Sequence, residues 1–433
     1  MKFTTLLACV FLSVLGPADS LQNPAKAPPK KGTESIRATP SLAAQAEQAL
    51  EKKDYTLAVE LLRKHFAGQP NDAIAHFQIG YAFTALGRRA EARAEYEKAA
   101  ELDPKLAAAH LNLGLLLLDD APADAIPPLT RASELLPDQS RPRFLLGLAH
   151  ERTGQTSAAM ASYRAAAELE KDNFEIHLAL GRTLLASRAP AEAETEFRRA
   201  LGLRADAAPA RLGLAESLIG QQKLEPAAKE METYLASRPD DAASRVQLAS
   251  LYADLGRHEA ALAQLDQAQK SGGDSPAASK LRGEILVHLK RLDEAAESLA
   301  SAARAAPADA ELHARLGRIQ LERRNFGAAE EALREAVRLN PALTEAWRDL
   351  AATYYLGENY AAALEVLDRL AAGEPPKPGS WFIRATCYDK LGRKPEALAA
   401  YEKFLALDDG RNDRQTFQAQ QRVRALSREL KQK

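Results

Sequence analysis

The chain has 433 residues, of which 46% are hydrophobic and 6% are aromatic, and its formal net charge is −1. A net charge this close to zero excludes a global electrostatic attraction to nucleic acid or to an anionic membrane. The composition is rich in Ala, Leu, Glu and Arg, which favours helix over sheet. The two cysteines, Cys9 and Cys387, cannot build a disulfide framework.

The first twenty residues have the pattern of a secretory signal peptide. Leu6 to Leu15 is an apolar run, Gly16-Pro17 breaks it, and small residues then permit cleavage after Ser20. Ten apolar residues are too few to span a bilayer. We therefore predict a signal peptide at residues 1–20 and an exported protein, either periplasmic or extracellular. A lipoprotein-type cleavage before Cys9 and an uncleaved interfacial helix are the alternatives.

A Pro- and Lys-rich segment follows at residues 21–38. It combines several prolines with a small cluster of lysines and contains few apolar side chains. A segment of this composition has little to bury and prefers an extended, solvated conformation. We predict a disordered linker here.

From residue 39 to residue 411 the chain repeats a unit of 34 residues eleven times. With Gly80 numbered as position 8, position 8 is Gly or Ala in every copy, position 20 is always Ala, and position 24 is always large and apolar. Small residues let two antiparallel helices approach to about 8–10 Å. Proline at position 32 ends the second helix in seven copies. A unit of this length cannot bury its apolar face alone, so the copies must stack.

Two copies depart from the regular pattern. The third is one residue short and has Pro127 and Pro128 near the start of its second helix. Because only the first turn of a helix tolerates proline without losing a hydrogen bond, we predict a shortened or kinked second helix there. The Gly-rich link from Ser271 to Pro276, between copies seven and eight, predicts a joint with some hinge motion.

The 34-residue spacing, with small residues at positions 8 and 20, a large one at 24 and proline at 32, resembles the tetratricopeptide repeat family over residues 39–411. The resemblance implies an all-α fold, a right-handed superhelix of helix-turn-helix repeats whose first helices line a concave groove. It also implies a non-enzymatic scaffold that binds a protein or peptide. Together with an export signal of the bacterial type, it implies a role in an envelope assembly or secretion system.

Residues 412–433 predict a C-terminal capping helix that starts near Asp413. Its apolar side chains fall roughly along one face, at Phe417, Val423, Leu426 and Leu430. That face would cover the apolar surface of the last repeat, as a solenoid end requires. A partner-binding helix is the alternative.

In the resembled family the groove is lined by positions 2, 5, 9, 12 and 13 of the first helix. Those positions are mostly apolar in the first half of this chain and carry mixed charge in the second half. The candidate partner-binding residues are Phe77, Tyr81, Leu111, Leu115, Phe144, Leu148, Arg315, Arg318 and Arg348. The apolar members also pack against neighbouring helices in such repeats, so groove and core remain alternatives for them.

The sequence contains no catalytic, cofactor-binding or metal-binding motif. Histidines recur at position 4, as His76, His110, His177 and His313, but they stand on separate repeats and we expect them to pack rather than to bind zinc. Cys387 is expected to be a small buried residue. We expect no enzyme, no cofactor, no nucleic acid partner and no membrane span. The alternatives are a self-associating repeat protein and an RNA-binding helical repeat.

Overall fold

A computed structural model describes residues 41–273, 275–373, 377–408 and 413–431. Every regular element within these ranges is an α-helix, twenty-three in all. The all-α fold class predicted from the sequence is therefore confirmed. The signal peptide and the linker predicted at residues 1–20 and 21–38 lie outside the described residues and stay predictions.

Each repeat contributes two helices, here called the A helix and the B helix. The A helices are α1 (Leu42–Glu51), α3 (Ala73–Ala85), α5 (Ala107–Leu117), α7 (Ser140–Arg152), α9 (Phe174–Ala186), α11 (Ala208–Gly220), α13 (Ala242–Asp254), α15 (Pro276–His288), α17 (Ala310–Glu322), α19 (Thr344–Leu356) and α21 (Pro378–Lys390). The B helices are α2 (Tyr55–Phe66), α4 (Arg89–Leu102), α6 (Pro122–Leu135), α8 (Thr156–Leu169), α10 (Pro190–Leu203), α12 (Leu224–Ser237), α14 (His258–Lys270), α16 (Leu292–Ala305), α18 (Phe326–Leu339), α20 (Tyr360–Gly373) and α22 (Lys394–Leu407). A last helix, α23 (Asp413–Lys431), follows the eleventh repeat.

The chain divides into two compact units, Met1–Asn112 and Leu113–Lys433, called here the N-terminal and the C-terminal unit. The boundary falls within α5, the A helix of the third repeat. In the C-terminal unit α9 contacts α11, α13 contacts α15, and α17 contacts α19, each pair belonging to consecutive repeats. The surface that the A helices of a unit form is called here its A-helix face.

The large residue at position 24 fills the space that the small residue at position 8 leaves open. In the C-terminal unit a Cβ atom added to Gly147 would lie 2.5 Å from Cδ1 of Tyr163. In the N-terminal unit a Cβ on Gly80 would lie 2.8 Å from Cδ1 of Tyr96. Both tyrosine side chains are almost completely buried. The small residue is required because the partner helix inserts a side chain there.

The turn from A helix to B helix needs one residue in the left-handed region. In the second repeat the Gly87 N–H donates to the carbonyl of Thr84 at 3.0 Å, and the Arg88 N–H donates to that of Phe83 at 2.8 Å. This pair of bonds is a Schellman motif, which requires positive φ at its central residue. Position 15 has positive φ in ten repeats, at Lys53, Gly87, Gly154, Arg188, Gln222, Gly256, Lys290, Arg324, Glu358 and Gly392.

The third repeat corrects one prediction. Its B helix, α6, has 14 residues, as α4 and α8 do, so the predicted shortening of this helix is wrong. The A helix is shorter instead: α5 has 11 residues where α3 has 13, and four residues rather than three connect it to the B helix. In this connection the Ala121 N–H donates to the carbonyl of Leu117 at 2.8 Å, and no residue adopts the positive φ that the other repeats use. Pro127 and Pro128 lie inside α6, and a kink there stays a prediction.

The side chain at position 4 joins the A helix to the loop before it in seven repeats. His177 Nε2 donates to the carbonyl of Lys171 at 2.7 Å, and His177 Nδ1 lies 2.6 Å from a carboxylate oxygen of Glu196. The carbonyl six residues earlier accepts a bond from the same position in seven repeats, at His76, His110, His177, Arg211, Arg245, His313 and Trp347. The histidines recur because this bond recurs.

Glu194 on α10 accepts three hydrogen bonds, two of which join the fifth repeat to the sixth. Its carboxylate accepts from Lys223 Nζ at 2.9 Å, Gln221 Nε2 at 2.8 Å and Arg198 Nε at 3.0 Å. These bonds, that of Lys223 foremost, lower the pKa of Glu194 to about 2. The contacts in the folded protein therefore stabilise the ionised carboxylate of Glu194.

We expect a Glu194→Gln variant to lose about 1 kcal/mol of unfolding free energy at neutral pH, since the group is only partly shielded from solvent. Because the folded-state pKa lies below the ordinary value of 4.5, the stabilisation is complete above that value. It is lost as pH falls towards about 2. Urea titrations between pH 7 and pH 2 check this, and a difference from the wild-type protein that stays constant with pH would contradict it.

The last helix, α23, packs on the eleventh repeat with Ala419 and Leu426, both fully buried in one cluster with Phe404. Arg422 donates two hydrogen bonds to the carboxylate of Asp389 on α21, at 2.6 and 2.7 Å. Phe417, which the sequence placed on the buried face, is 64% exposed, so that assignment is wrong. The small Ala419 lies at the closest approach instead, two positions further along the helix.

Candidate functional site

The A-helix face of the N-terminal unit carries two aromatic side chains that are partly exposed, Phe77 and Tyr81. The Phe77 ring centroid lies 5.9 Å from that of Tyr96. The Tyr81 ring stands edge-on to Tyr55 at 6.2 Å, and burial, followed by the neighbouring Tyr55, raises the pKa of Tyr81. The third apolar candidate of this unit, Leu111, is also partly exposed.

The A-helix face of the C-terminal unit repeats this arrangement. Phe144 lies 5.7 Å from Tyr163, ring centroid to ring centroid, and Leu148 packs on the same core. Leu115 is partly exposed as well. All six apolar candidates therefore have intermediate exposure: one side of each packs on the repeat and the other side meets solvent. Each of these side chains thus contributes one side to the core of its repeat and leaves the other side available to a ligand.

The three arginine candidates are already paired within the C-terminal unit. Arg315 contacts Glu284 at 2.6 Å and Arg318 contacts Asp349 at 2.8 Å, each across neighbouring repeats, while Arg348 pairs with Glu345. Burial raises the pKa of Asp349, and Arg318 opposes that shift. The charge of each arginine is already neutralised by a carboxylate of the same unit. An acidic ligand would therefore have to compete with these carboxylates.

Glu216 is an inner-position carboxylate that the sequence reasoning did not single out. It stands on α11 at position 9, one of the inner positions, between the partly exposed Leu212 and Ile219. Desolvation alone raises the pKa of Glu216, and the described residues provide it with no hydrogen bond or ion pair. The sequence gives no distinct signal for Glu216, because position 9 is Arg182 and Ser250 in the neighbouring repeats and a carboxylate again at Glu47 and Glu284. Such a carboxylate can form an ion pair with a cationic group of a ligand.

Other chemistry finds little support in the described ranges. Cys387 is fully buried, and burial raises the pKa of its thiol to about 11, which leaves it unreactive at neutral pH. Within residues 41–431, leaving out the gaps, no group of three or more His, Cys, Asp or Glu side chains could hold a metal ion. None of the described helices is long and apolar enough to cross a membrane.

Family models for the tetratricopeptide repeat match most of the chain. One matches residues 246–310, 314–380 and 358–412, and others match residues 80–120, 140–173 and 184–245. No curated protein matches the chain.

Solved structures give similar helical arrangements at low identity. MamA from Desulfovibrio magneticus RS-1 is 22% identical with a TM-score of 0.36, and the match covers 38% of this chain and 94% of MamA. Yeast Tom70 is 13% identical with a TM-score of 0.35, over 90% of this chain and 96% of Tom70. A tetratricopeptide repeat protein from Parabacteroides merdae is 18% identical with a TM-score of 0.40, over 56% and 97%. None of the three carries information on function.

Proposed function

Because this chain belongs to the tetratricopeptide repeat family and is a protein-interaction scaffold, we propose that it binds a protein or peptide partner on the A-helix face. We propose one such surface in each unit: Phe77, Tyr81 and Leu111 in the N-terminal unit, and Leu115, Phe144 and Leu148 in the C-terminal unit. In this proposal the protein acts by binding its partners and catalyses no reaction.

One observation carries this proposal: the partly exposed aromatic and aliphatic side chains recur at equivalent inner positions of successive A helices. A side chain that is held by packing on one side loses little rotamer freedom when a ligand covers its other side. Aromatic anchors of this kind dominate the energetics of protein interfaces. Glu216 adds a carboxylate within the same set of positions, which favours a ligand with a cationic group beside its apolar anchors.

We also propose that the protein is exported and serves an assembly or secretion machine of the cell envelope. The support is the signal-peptide pattern at residues 1–20. The mass of the mature protein tests the first step, since cleavage after Ser20 would leave Leu21 as the N-terminal residue. A mature chain that begins at Met1 would contradict cleavage.

Affinity capture from an envelope extract tests the binding surface. We expect the wild-type protein to retain at least one specific partner and Phe77→Ala/Tyr81→Ala to retain it at least about tenfold less, because two aromatic anchors are truncated. A matched control is Phe326→Ala/Tyr360→Ala, which removes two partly exposed aromatic side chains from B helices.

The control variant should retain the partner, and circular dichroism should show both variants folded. The proposed surface would be wrong if the folded Phe77→Ala/Tyr81→Ala variant kept every specific partner. If the captured protein is this chain itself, the self-association alternative replaces the adaptor function.

A further inference from the structure

The solvent-facing side of α23 carries a line of cations that the packing of this helix does not use. Arg414, Arg424, Arg428 and Lys431 are all exposed and share one side of the helix with Phe417 and Gln421. The spacing along this side alternates between three and four residues, which keeps the side chains in one row. We call Arg414, Phe417, Arg424, Arg428 and Lys431 the basic stripe; it is about 26 Å long at the helical rise.

The cations of the basic stripe differ from the other charged groups of α23. Arg422 is bound to Asp389, and Glu429 is bound to Lys394 at 2.7 Å. For Arg414, Arg424, Arg428 and Lys431 the described residues offer no acidic partner and no hydrogen bond. The stripe thus holds four positive charges that only solvent or a ligand neutralises.

Phe417 lies within the row of cations and is 64% exposed, more than any other large hydrophobic side chain of the described residues. The contact between α23 and the eleventh repeat is made by Ala419 and Leu426. Phe417 is not needed for this contact, so packing gives no reason for a phenylalanine at this exposed position. A phenylalanine beside arginines supplies the apolar contact that a purely electrostatic surface lacks.

We propose that the basic stripe binds an acidic helical segment of a partner protein. Guanidinium groups bind carboxylates with two parallel hydrogen bonds, and a row one residue wide matches the carboxylates along one side of a second helix. Phe417 would contact an apolar residue within the acidic row. The stripe contains no A-helix residue, so this interaction is separate from the proposed binding on the A-helix face.

A membrane surface fits the stripe less well. An interfacial helix inserts its apolar face among the lipids, whereas the apolar face of α23 is buried against the eleventh repeat. Only Phe417 is left to enter a bilayer. Four cations attract an anionic leaflet, but they do so without regard to their order along the helix. The regular spacing favours a ligand with matching spacing.

A labelled synthetic helix tests the proposal with the full chain. The probe is a peptide of about 20 residues with glutamates and one leucine at the same alternating spacing of three and four. A scrambled peptide of equal composition and charge distributes the glutamates around the helix. Fluorescence anisotropy should show the matched peptide binding at least about tenfold more tightly than the scrambled one, with both affinities falling as salt rises.

Variants then locate the binding site. Arg424→Gln/Arg428→Gln should weaken binding of the matched peptide at least about tenfold, and Phe417→Ala about threefold. The control Arg141→Gln/Arg304→Gln removes the same charge from exposed positions on α7 and α16 and should leave the affinity unchanged. These changes are on the surface, so circular dichroism should be unaltered in all three variants.

Several results would overturn the proposal. Equal affinity for matched and scrambled peptides would reduce the stripe to a nonspecific cation patch. Stripe-dependent binding to phosphatidylglycerol vesicles or to RNA, without binding of the matched peptide, would assign the stripe to that ligand instead. Dimerisation in light scattering that is lost in Arg424→Gln/Arg428→Gln would identify a second copy of this chain as the occupant.

Discussion

A Phe197→Ala variant is expected to lose about 3–5 kcal/mol of unfolding free energy. The Phe197 side chain is fully buried. A Cβ added to Gly181 would lie 2.9 Å from its Cε1 atom, and one added to Gly213 would lie 2.3 Å from its Cζ atom. The ring therefore fills space between the A helices of two repeats, and its removal leaves a cavity that α9 and α11 cannot both close.

Urea unfolding followed by circular dichroism measures this loss, and Phe417→Ala is the matched control. It deletes the same atoms from an exposed ring and should change the free energy of unfolding by less than about 0.5 kcal/mol. A loss below about 1 kcal/mol for Phe197→Ala would mean that the ring does not couple the repeats. Because repeat arrays unfold in segments, the transition midpoint and its slope should both be reported.

The second large expected effect is a stabilisation. Changing the six non-glycine residues with positive φ to glycine should raise the free energy of unfolding by about 0.5–1 kcal/mol at each site. The sites are Lys53, Arg188, Gln222, Lys290, Arg324 and Glu358, and all are exposed turn residues. Because they lie in different repeats, the effects should add to about 3–6 kcal/mol.

The midpoint of urea unfolding for the six single variants and the combined variant checks this expectation. Gly87→Ala is the reverse control: Gly87 has φ of +72°, so an alanine there should cost about 1 kcal/mol. If the combined variant is no more stable than the wild-type protein, the strain at position 15 is offset by the greater freedom of glycine in the unfolded chain.

The repeat architecture could be predicted because every copy carries the same pattern of small and large residues. The same residue types recur at positions 8, 20 and 24 in eleven copies, which fits only one repeat length. Ala193 at position 20 and Phe197 at position 24 are buried, as this pattern predicts. Single departures were harder to predict. The prolines at 127 and 128 suggested a short B helix, but the shortened element of the third repeat is its A helix, α5, with 11 residues. A length deficit alone does not locate a deletion.

Positive φ was predictable only in part. Gly87 and Gly154 mark the left-handed turn, whereas Arg188 and Glu358 adopt the same conformation with no local sequence signal. The turn geometry is imposed by the two helices that it joins, since the helices gain more from packing than one strained residue loses. The same holds for position 4, where His, Arg and Trp make one shared hydrogen bond with different side chains.

The candidate site was less predictable than the fold. The pattern identified which residues stand at inner positions, but it could not give their exposure, because Phe77 and Phe144 each pack with one side and present the other. Glu216 was overlooked because position 9 changes character from copy to copy, with Arg182 and Ser250 in the neighbouring repeats. Phe417 was misplaced because the helix turned a small residue, Ala419, towards the last repeat.

Site-specific photo-crosslinking tests the central claim that the A-helix face holds the partner. A photoreactive phenylalanine replaces Tyr81 or Phe144 on A helices, or Tyr360 or Phe326 on B helices, and each variant is irradiated in envelope extract. All four native side chains are partly exposed, so the positions differ in helix rather than in accessibility. We predict one discrete crosslinked product from positions 81 and 144 and none from positions 360 and 326. The same product from the B-helix positions alone, with none from the A-helix positions, would contradict the account.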